Sequence, residues 1–255
     1  MNSRLLSPAR RLLAVIGLAL LGGAEPVLAF SFSINPVSVT LSGKRASALI
    51  NLTSQSPEPV RIQVTAYEWS ESPDGTARLE PTEDLLVFPP IATLPAGGTR
   101  AIRVGAVAAV AATEKSYRLY IEELPPEESK PRPGEVKVRA RFGVPVFLAP
   151  MSAQPELRLE GLGVEDGKVR LSIENTGNVH ARLRRVVVRA ADTAGGALFE
   201  KEVTGWYLLA GGARRYDVAL DPAACRRSAS VSVEILSDAG KLDGTLHDLA
   251  GGCGR

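Results

Sequence analysis

The stretch VRIQVTAY (residues 60–67) alternates apolar and polar side chains. Val60, Ile62 and Val64 would lie on one face of an extended chain, with polar side chains between them. This period of two predicts a half-buried antiparallel strand rather than a helix. Comparable runs occur at residues 32–41, 48–52, 101–104, 117–121 and 136–146.

Proline- and glycine-rich segments separate these runs: SPEP (56–59), SPDG (72–75), FPP (88–90) and PAGG (95–98). Such residues set turns or end strands. Strands that recur about every dozen residues, with no helical pattern between them, favour a β-sandwich over alternating strands and helices. We therefore predict an all-β protein.

The strand pattern stops once and then resumes. After VPVF (144–147) comes APMSAQP (149–155), and alternation begins again at LRL (157–159). At ~100–150 residues per domain, the chain has room for two domains. We predict two immunoglobulin-like β-sandwiches in tandem, residues 30–150 and 151–255, set at an angle to each other.

Residues 1–29 have the features of a secretory signal peptide. Three arginines precede the apolar run 12–21, and VLA at 27–29 is a small-residue cleavage pattern. The apolar run is about half the ~20 residues that a membrane span needs, and no second run of that length follows. We expect an exported protein that is not membrane-embedded.

Removal of residues 1–29 takes away three of the 30 basic and one of the 28 acidic residues, which leaves 27 of each. A balanced charge gives no reason to expect nucleic acid or an anionic membrane as a partner.

The two cysteines are Cys225 and Cys253. In an oxidising compartment a pair of thiols normally forms a disulfide, worth roughly 3–4 kcal/mol in the chain-entropy model. A metal or redox pair is the alternative, but neither CxxC spacing nor clustered histidines accompany these cysteines.

Catalytic motifs are missing from the sequence. His180 and His247 are the only histidines, and neither has the spacing that catalysis or zinc binding requires. There is no GxSxG elbow, and the glycines at 195–196 and 211–212 fit hairpin turns better than phosphate loops. We predict no catalytic residue, no metal site and no cofactor.

Three segments together resemble the PapD-like periplasmic pilus-assembly (fimbrial) chaperones. They are SYRLYIEELPP (116–126), VPVF (144–147) and NTGNVHA (175–181), and the likeness extends over residues 32–236. The first segment is most similar to the branch of the chaperone-usher family that assembles archaic, spore-coat-protein-like pili.

The resemblance implies a chaperone that binds pilus or fimbrial subunits by donor-strand complementation and delivers them to an outer-membrane usher. Its donor strand would be VKVRARF (136–142), with Val136, Val138, Ala140 and Phe142 on one face. From periodicity alone, an ordinary strand whose apolar face covers its own core fits this segment equally well.

The resemblance also implies an anchor for the subunit's carboxylate. The family typically uses two basic residues in the cleft, and the corresponding positions here are Ser38 and Pro145, neither of which is basic. Four arginines are replacement candidates by charge, since guanidinium can grip a carboxylate bidentately: Arg103, Arg118, Arg139 and Arg141.

Two alternatives stay open. The chain could be a secreted structural or adhesive two-domain sandwich instead of a chaperone. Whether the free protein associates with itself through the donor edge is also undecided by the sequence.

Overall fold

The structure, a computed structural model, describes residues 32–125, 138–247, 249 and 252–253. Its regular structure is almost entirely β, as predicted. The first ten strands are β1 (Phe32–Asn35), β2 (Val39–Leu41), β3 (Ser47–Ser54), β4 (Val60–Glu71), β5 (Ala77–Pro81), β6 (Leu85–Phe88), β7 (Ile91–Leu94), β8 (Thr99–Ala106), β9 (Lys115–Glu123) and β10 (Arg141–Leu148).

The remaining elements follow the segment 149–156. They are β11 (Leu157–Glu165), β12 (Lys168–Asn175), β13 (Ala181–Ala191), β14 (Ala197–Thr204), β15 (Tyr207–Leu208), β16 (Ala213–Ala219), the helix α1 (Pro222–Arg227), β17 (Ser230–Ser237) and β18 (Gly240–Leu246).

These strands build two sandwiches. In the first, a sheet ordered β1-β3-β8-β6 faces a sheet ordered β2-β10-β9-β4-β5, with β7 also paired to β4. In the second, β11-β12-β16 faces β14-β13-β17-β18, with β15 paired to β13. Neighbouring strands run antiparallel except β2 and β10, which are parallel.

Each sandwich has its own apolar core, because alternate side chains along the strands point inward. In β4 the residues Val60, Ile62 and Val64 are buried in the first core, as the opening stretch of sequence predicts. The second core is built in the same way, from β12, β13 and β17. Within the described part of the chain, no helix combines the length and apolar character that a membrane span requires.

Cys225 and Cys253 form a disulfide, as predicted. Cys225 lies on α1, and the bridge closes a sequence separation of 28 residues. The N–H of Gly167, in the β11–β12 turn, donates to the carbonyl of Gly252 at 2.7 Å. The segment around Cys253 is therefore attached to both faces of the second sandwich.

Two predicted strands have different bounds in the structure. The run 32–41 is divided into β1 and β2, which belong to opposite sheets. The run 136–146 begins as a strand only at Arg141, because the ladder with β9 ends there, at the pair Arg141 and Glu122. Directly ahead of that point, the carbonyl of Ala140 still accepts the N–H of Glu123, the last residue of β9, at 3.0 Å.

The NTGN segment joins the second sandwich to the linker between the sandwiches. The buried Asn175 donates from Nδ2 to the carbonyls of Val179 and Leu208. Asn178 donates from Nδ2 to the carbonyls of Ala112 and Ser152, both at 2.9 Å. Asn178 therefore ties a loop of the first sandwich to the linker.

Gly177 lies where the linker backbone passes close to this turn. A Cβ at Gly177 would overlap the carbonyl oxygen of Gln154 and lie 2.5 Å from the amide nitrogen of Glu156. Only a residue without a side chain allows this approach.

We predict that Gly177→Ala lowers the free energy of unfolding by about 1–3 kcal/mol, the usual cost of overpacking, because rigid backbone has to move. Gly163→Ala is the control, since a Cβ there meets nothing within 4 Å. Denaturant unfolding of both variants measures the difference. Equal stability of the two variants would contradict the role assigned to Gly177.

Candidate functional site

One face of the β2-β10-β9-β4-β5 sheet is turned toward the second sandwich. The ladders place Tyr67, Arg118 and Pro145 side by side on β4, β9 and β10. One step along the same face, Phe147 lies opposite Ser116. Trp69 follows Tyr67 by two residues and shares its side of β4, because strand side chains alternate.

An aromatic cluster fills the space between the sandwiches: Trp69 and Phe147 from the first, His180 and Tyr207 from the second. The ring centroids of Phe147 and His180 are 3.6 Å apart and the planes are nearly parallel. Tyr207 contacts Phe147 at 5.5 Å and Trp69 at 5.9 Å. These contacts fix the second sandwich against the sheet.

A carboxylate orients the histidine of this cluster. Oε1 of Glu114 lies 2.7 Å from Nδ1 of His180 and also accepts the backbone N–H of His180 at 2.9 Å. The Glu114 side chain is only 2% exposed. His180 directly precedes β13, and its ring contacts join the two sandwiches.

A charged cluster lies beside the aromatic one: Glu71, Arg118 and Arg214. The guanidinium carbon of Arg118 is 3.8 Å from the centroid of Trp69 and 5.9 Å from that of Trp206, a cation–π geometry. Nη1 of Arg214 lies 3.6 Å from Oε2 of Glu71. The cluster therefore joins β4 and β9 of the first sandwich to β16 of the second.

Burial dominates the electrostatics of Glu71. Its side chain is 8% exposed. Desolvation raises the pKa of Glu71 above its ordinary value of 4.5, although Arg214 and then Arg118 act in the opposite direction. The same burial raises the pKa of Tyr216, which lies close to this carboxylate.

Three buried polar atoms in this region have no hydrogen-bond partner among the described residues: Nε of Arg118, Nη1 of Arg214 and the hydroxyl of Tyr216. Unsatisfied buried donors are rare in folded proteins, and each needs an explanation. These atoms are concentrated around Glu71, where an added acceptor could satisfy them.

The four predicted arginines have different surroundings. Arg118 alone lies in the cleft. Arg103 is exposed on β8, in the opposite sheet, and donates to Oγ of Ser47 at 3.3 Å. Arg141 pairs with Glu122 at 2.9 Å and lies over the ring of Tyr120. Arg139 is exposed ahead of β10.

Arg118 replaces side chains that β10 lacks. Its ladder partner is Pro145, and its Cδ lies 3.1 Å from the position that a Cβ on Gly143 would take. Ser38 immediately precedes the residue that pairs with Val146, so it extends the row from Arg118 through Pro145 onto the neighbouring chain segment. The basic side chain of this row is therefore on β9 and not on β10.

The predicted donor row has an uneven environment. Val138 is 84% exposed, whereas Ala140 is 9% exposed and belongs to the first core. Phe142 packs against that core, with its ring 5.1 Å from the ring of Phe32. Val136 lies outside the described residues. Val138 and Ala140 lie ahead of β10, and the assignment of this row as a donor strand stays a prediction.

An apolar groove runs between the edges of the two sheets, where β1 and β10 approach each other. It is lined by Phe32, Ser33, Ile34, Val37, Gln55, Phe142, Gly143 and Val144. The ladder between β10 and β2 covers only Val146, Phe147 and Leu148. No described strand pairs with this side of β10 between Gly143 and Pro145.

Sequence reasoning missed Trp69, Glu71, Trp206 and Arg214. The only available signal was that the chain has just two tryptophans. The two tryptophans come together around Arg118 only because the two sandwiches pack against each other.

We predict a pH dependence that reports the pKa of Glu71. Because the folded pKa is raised, the native protein holds a proton that the unfolded chain releases above 4.5. The resulting stabilisation is fully present below that pH and is lost as the pH rises through the folded pKa.

The free energy of unfolding of the wild type, relative to that of Glu71→Gln, should therefore fall as the pH rises through this window. Denaturant unfolding of both proteins at a series of pH values measures it. A relative rise would show that the arginines, and not burial, control the ionisation of Glu71.

Comparison with known proteins supports a family assignment. Residues 31–154 match the family model of the pili and flagellar-assembly chaperone, PapD N-terminal domain. Curated proteins yield no match to this chain.

Solved chaperone structures share the fold of the chain at low identity. A chain of the CsuC–CsuE chaperone–tip adhesion subunit complex, from archaic chaperone-usher Csu pili of Acinetobacter baumannii, is 16% identical with a TM-score of 0.60. The match covers 84% of this chain and 96% of that one.

Two further structures agree. A chain of the Salmonella enterica SafA pilin–SafB chaperone complex is 16% identical with a TM-score of 0.55, covering 85% of this chain and 97% of that one. The YadV chaperone is 14% identical with a TM-score of 0.59, covering 86% and 100%. Residues 31–154 therefore form a domain of the PapD N-terminal chaperone type, and the described chain has the two-sandwich fold of these solved chaperones.

Proposed function

We propose that this protein is a periplasmic chaperone that completes pilus subunits by donor-strand complementation and delivers them to an outer-membrane usher. The observation that carries the proposal is the apolar groove at the open edge of β10, next to a cleft that contains the half-buried cation Arg118. A subunit that lacks a strand presents the two matching features, an apolar groove and a terminal carboxylate.

The open edge supplies the backbone part of this interaction. An incomplete sandwich exposes unpaired N–H and C=O groups, which a strand added at its edge can satisfy. Gly143, Val144 and Pro145 offer such an edge, although Pro145 itself has no N–H to donate.

Apolar side chains supply the rest of the affinity. Val138 is a large exposed apolar residue just ahead of β10, and exposed apolar groups of this kind indicate an interaction surface. At ~25 cal/mol per Å² of apolar area, covering Val138 and the groove by a subunit would contribute several kcal/mol before ordering costs.

Arg118 is the proposed anchor for the carboxylate of the subunit. It is adjacent to Pro145, where the family typically has a basic residue, and its Nε is buried without a partner. The aromatic rings beside it exclude water, which strengthens a charge-assisted hydrogen bond. The lack of basic residues at Ser38 and Pro145 fits the resemblance to the archaic branch better than the classical pattern of anchoring residues.

We predict that Val138→Asp abolishes co-purification with the subunits encoded beside this chain in its genome, while secretion and folding stay intact. The substitution should leave the fold unchanged because the side chain is 84% exposed, whereas a charge in the apolar groove of a subunit is costly. The measurement is the amount of subunit recovered with the tagged chaperone.

Val107→Asp is the matched control, since Val107 is 67% exposed beyond β8, away from the groove. Full recovery of subunit with Val138→Asp would refute the proposed role of this segment. No recovery of subunit with the wild type would favour the structural or adhesive alternative. If the free chain is a dimer and Val138→Asp dissociates it, the chain associates with itself through this edge.

We predict that Arg118→Met weakens subunit binding about 10- to 100-fold, the value of a hydrogen bond to a charged group. Met keeps the apolar stem over Trp69 and removes the guanidinium. Titration of the subunit complex measures the affinity, with Arg103→Met as the control on the opposite sheet. If both variants bind equally, the anchor is not Arg118.

A further inference from the structure

The carboxylate of Glu71 lies where an acceptor for the cleft arginines is needed. It is at the end of β4, next to Arg214, and it interacts electrostatically with Arg118 as well. The other side chains at this point are the two tryptophans and Tyr216. In the free protein, Glu71 is the carboxylate that balances the two cations.

Glu71 interacts with the indoles of Trp206 and Trp69, but it makes no close hydrogen bond to either guanidinium group. Its contact with Arg214 is 3.6 Å, whereas a charge-assisted N–H···O⁻ bond is about 2.7–2.9 Å. Nε of Arg118, Nη1 of Arg214 and the hydroxyl of Tyr216 stay without partners. A second carboxylate with better geometry could gain hydrogen bonds that Glu71 does not make.

A counter-ion with these properties serves the unoccupied protein. Two half-buried guanidinium groups side by side without a nearby anion would be destabilising. A carboxylate held at a long distance removes most of that repulsion, and little hydrogen-bond energy is lost when another anion takes its place.

We propose that Glu71 is an internal counter-ion of the cleft, with which the terminal carboxylate of a subunit competes for Arg118 and Arg214. This inference rests on the carboxylate anchor proposed above. It assigns Glu71 as a positioning residue that sets how strongly the cleft binds a subunit, and it predicts that the free cleft binds simple carboxylates weakly.

Acetate is a suitable probe, because it presents one carboxylate and no strand. Trp69 and Trp206 are the only tryptophans of the chain and both flank Arg118, so their fluorescence reports on the site. The mature protein is titrated with sodium acetate against sodium chloride at constant ionic strength and neutral pH.

Glu71→Gln should bind acetate at least tenfold more tightly than the wild type, because the competitor is gone. Glu71→Asp is a second variant that keeps the charge and withdraws the carboxylate by one CH₂; it should bind with intermediate affinity. Glu68→Gln, an exposed carboxylate on the same strand, is the control for net charge and should bind like the wild type.

Arg118→Met in the Glu71→Gln background should abolish the gain. Equal acetate affinity in the wild type, Glu71→Asp and Glu71→Gln would overturn the competition, even if Arg118→Met still weakens subunit binding. A gain that survives Arg118→Met would also overturn it. Loss of subunit binding in Val138→Asp tests the proposed function independently of these results.

Discussion

The contact between Phe147 and His180 is the interaction on which the arrangement of the molecule depends. Phe147 is the last inward-facing aromatic of β10 on the cleft side, and the histidine that stacks on it is oriented by the buried Glu114. Because Glu114 belongs to the first sandwich and His180 to the second, the pair links the two bodies through both packing and a hydrogen bond. Asn178, whose side chain donates to the carbonyls of Ala112 and Ser152, lies two residues before His180. A change in this contact would alter the distance between β9 and β16, and with it the whole charged cluster.

The sequence predicted most of the architecture, for a physical reason. Alternation at Val60, Ile62 and Val64 is a local pattern, and local patterns decide whether a segment is a strand. The disulfide followed from the count of cysteines and the expectation of export. The break between β1 and β2 was not predictable from alternation, because both halves are apolar and only their partners differ. The start of β10 depends on where β9 ends, which is a property of another segment.

The cleft that we propose for the subunit's carboxylate was only partly predictable. Charge alone gave four arginines as equally good candidates for the carboxylate anchor. The proposal of Arg118 depends on the register of β9 against β10 and on the contact of Arg118 with Trp69. Glu71 and Arg214 are separated by more than a hundred residues in the sequence, and nothing in either neighbourhood signals the other. The exposure of Val138 and the burial of Ala140 likewise depend on where the ladder between β9 and β10 ends. Site geometry of this kind comes from packing between sandwiches, which single-sequence patterns do not record.

The bridge between Cys225 and Cys253 has a consequence for the timing of maturation. It spans β17 and β18, so the far end of the second sandwich is fastened only after both strands have been made and have met an oxidant. The first sandwich contains no cysteine and can reach its final form without one. The redox state of this pair thus decides whether the segment around Cys253 is covalently held to α1, while the first sandwich is independent of it.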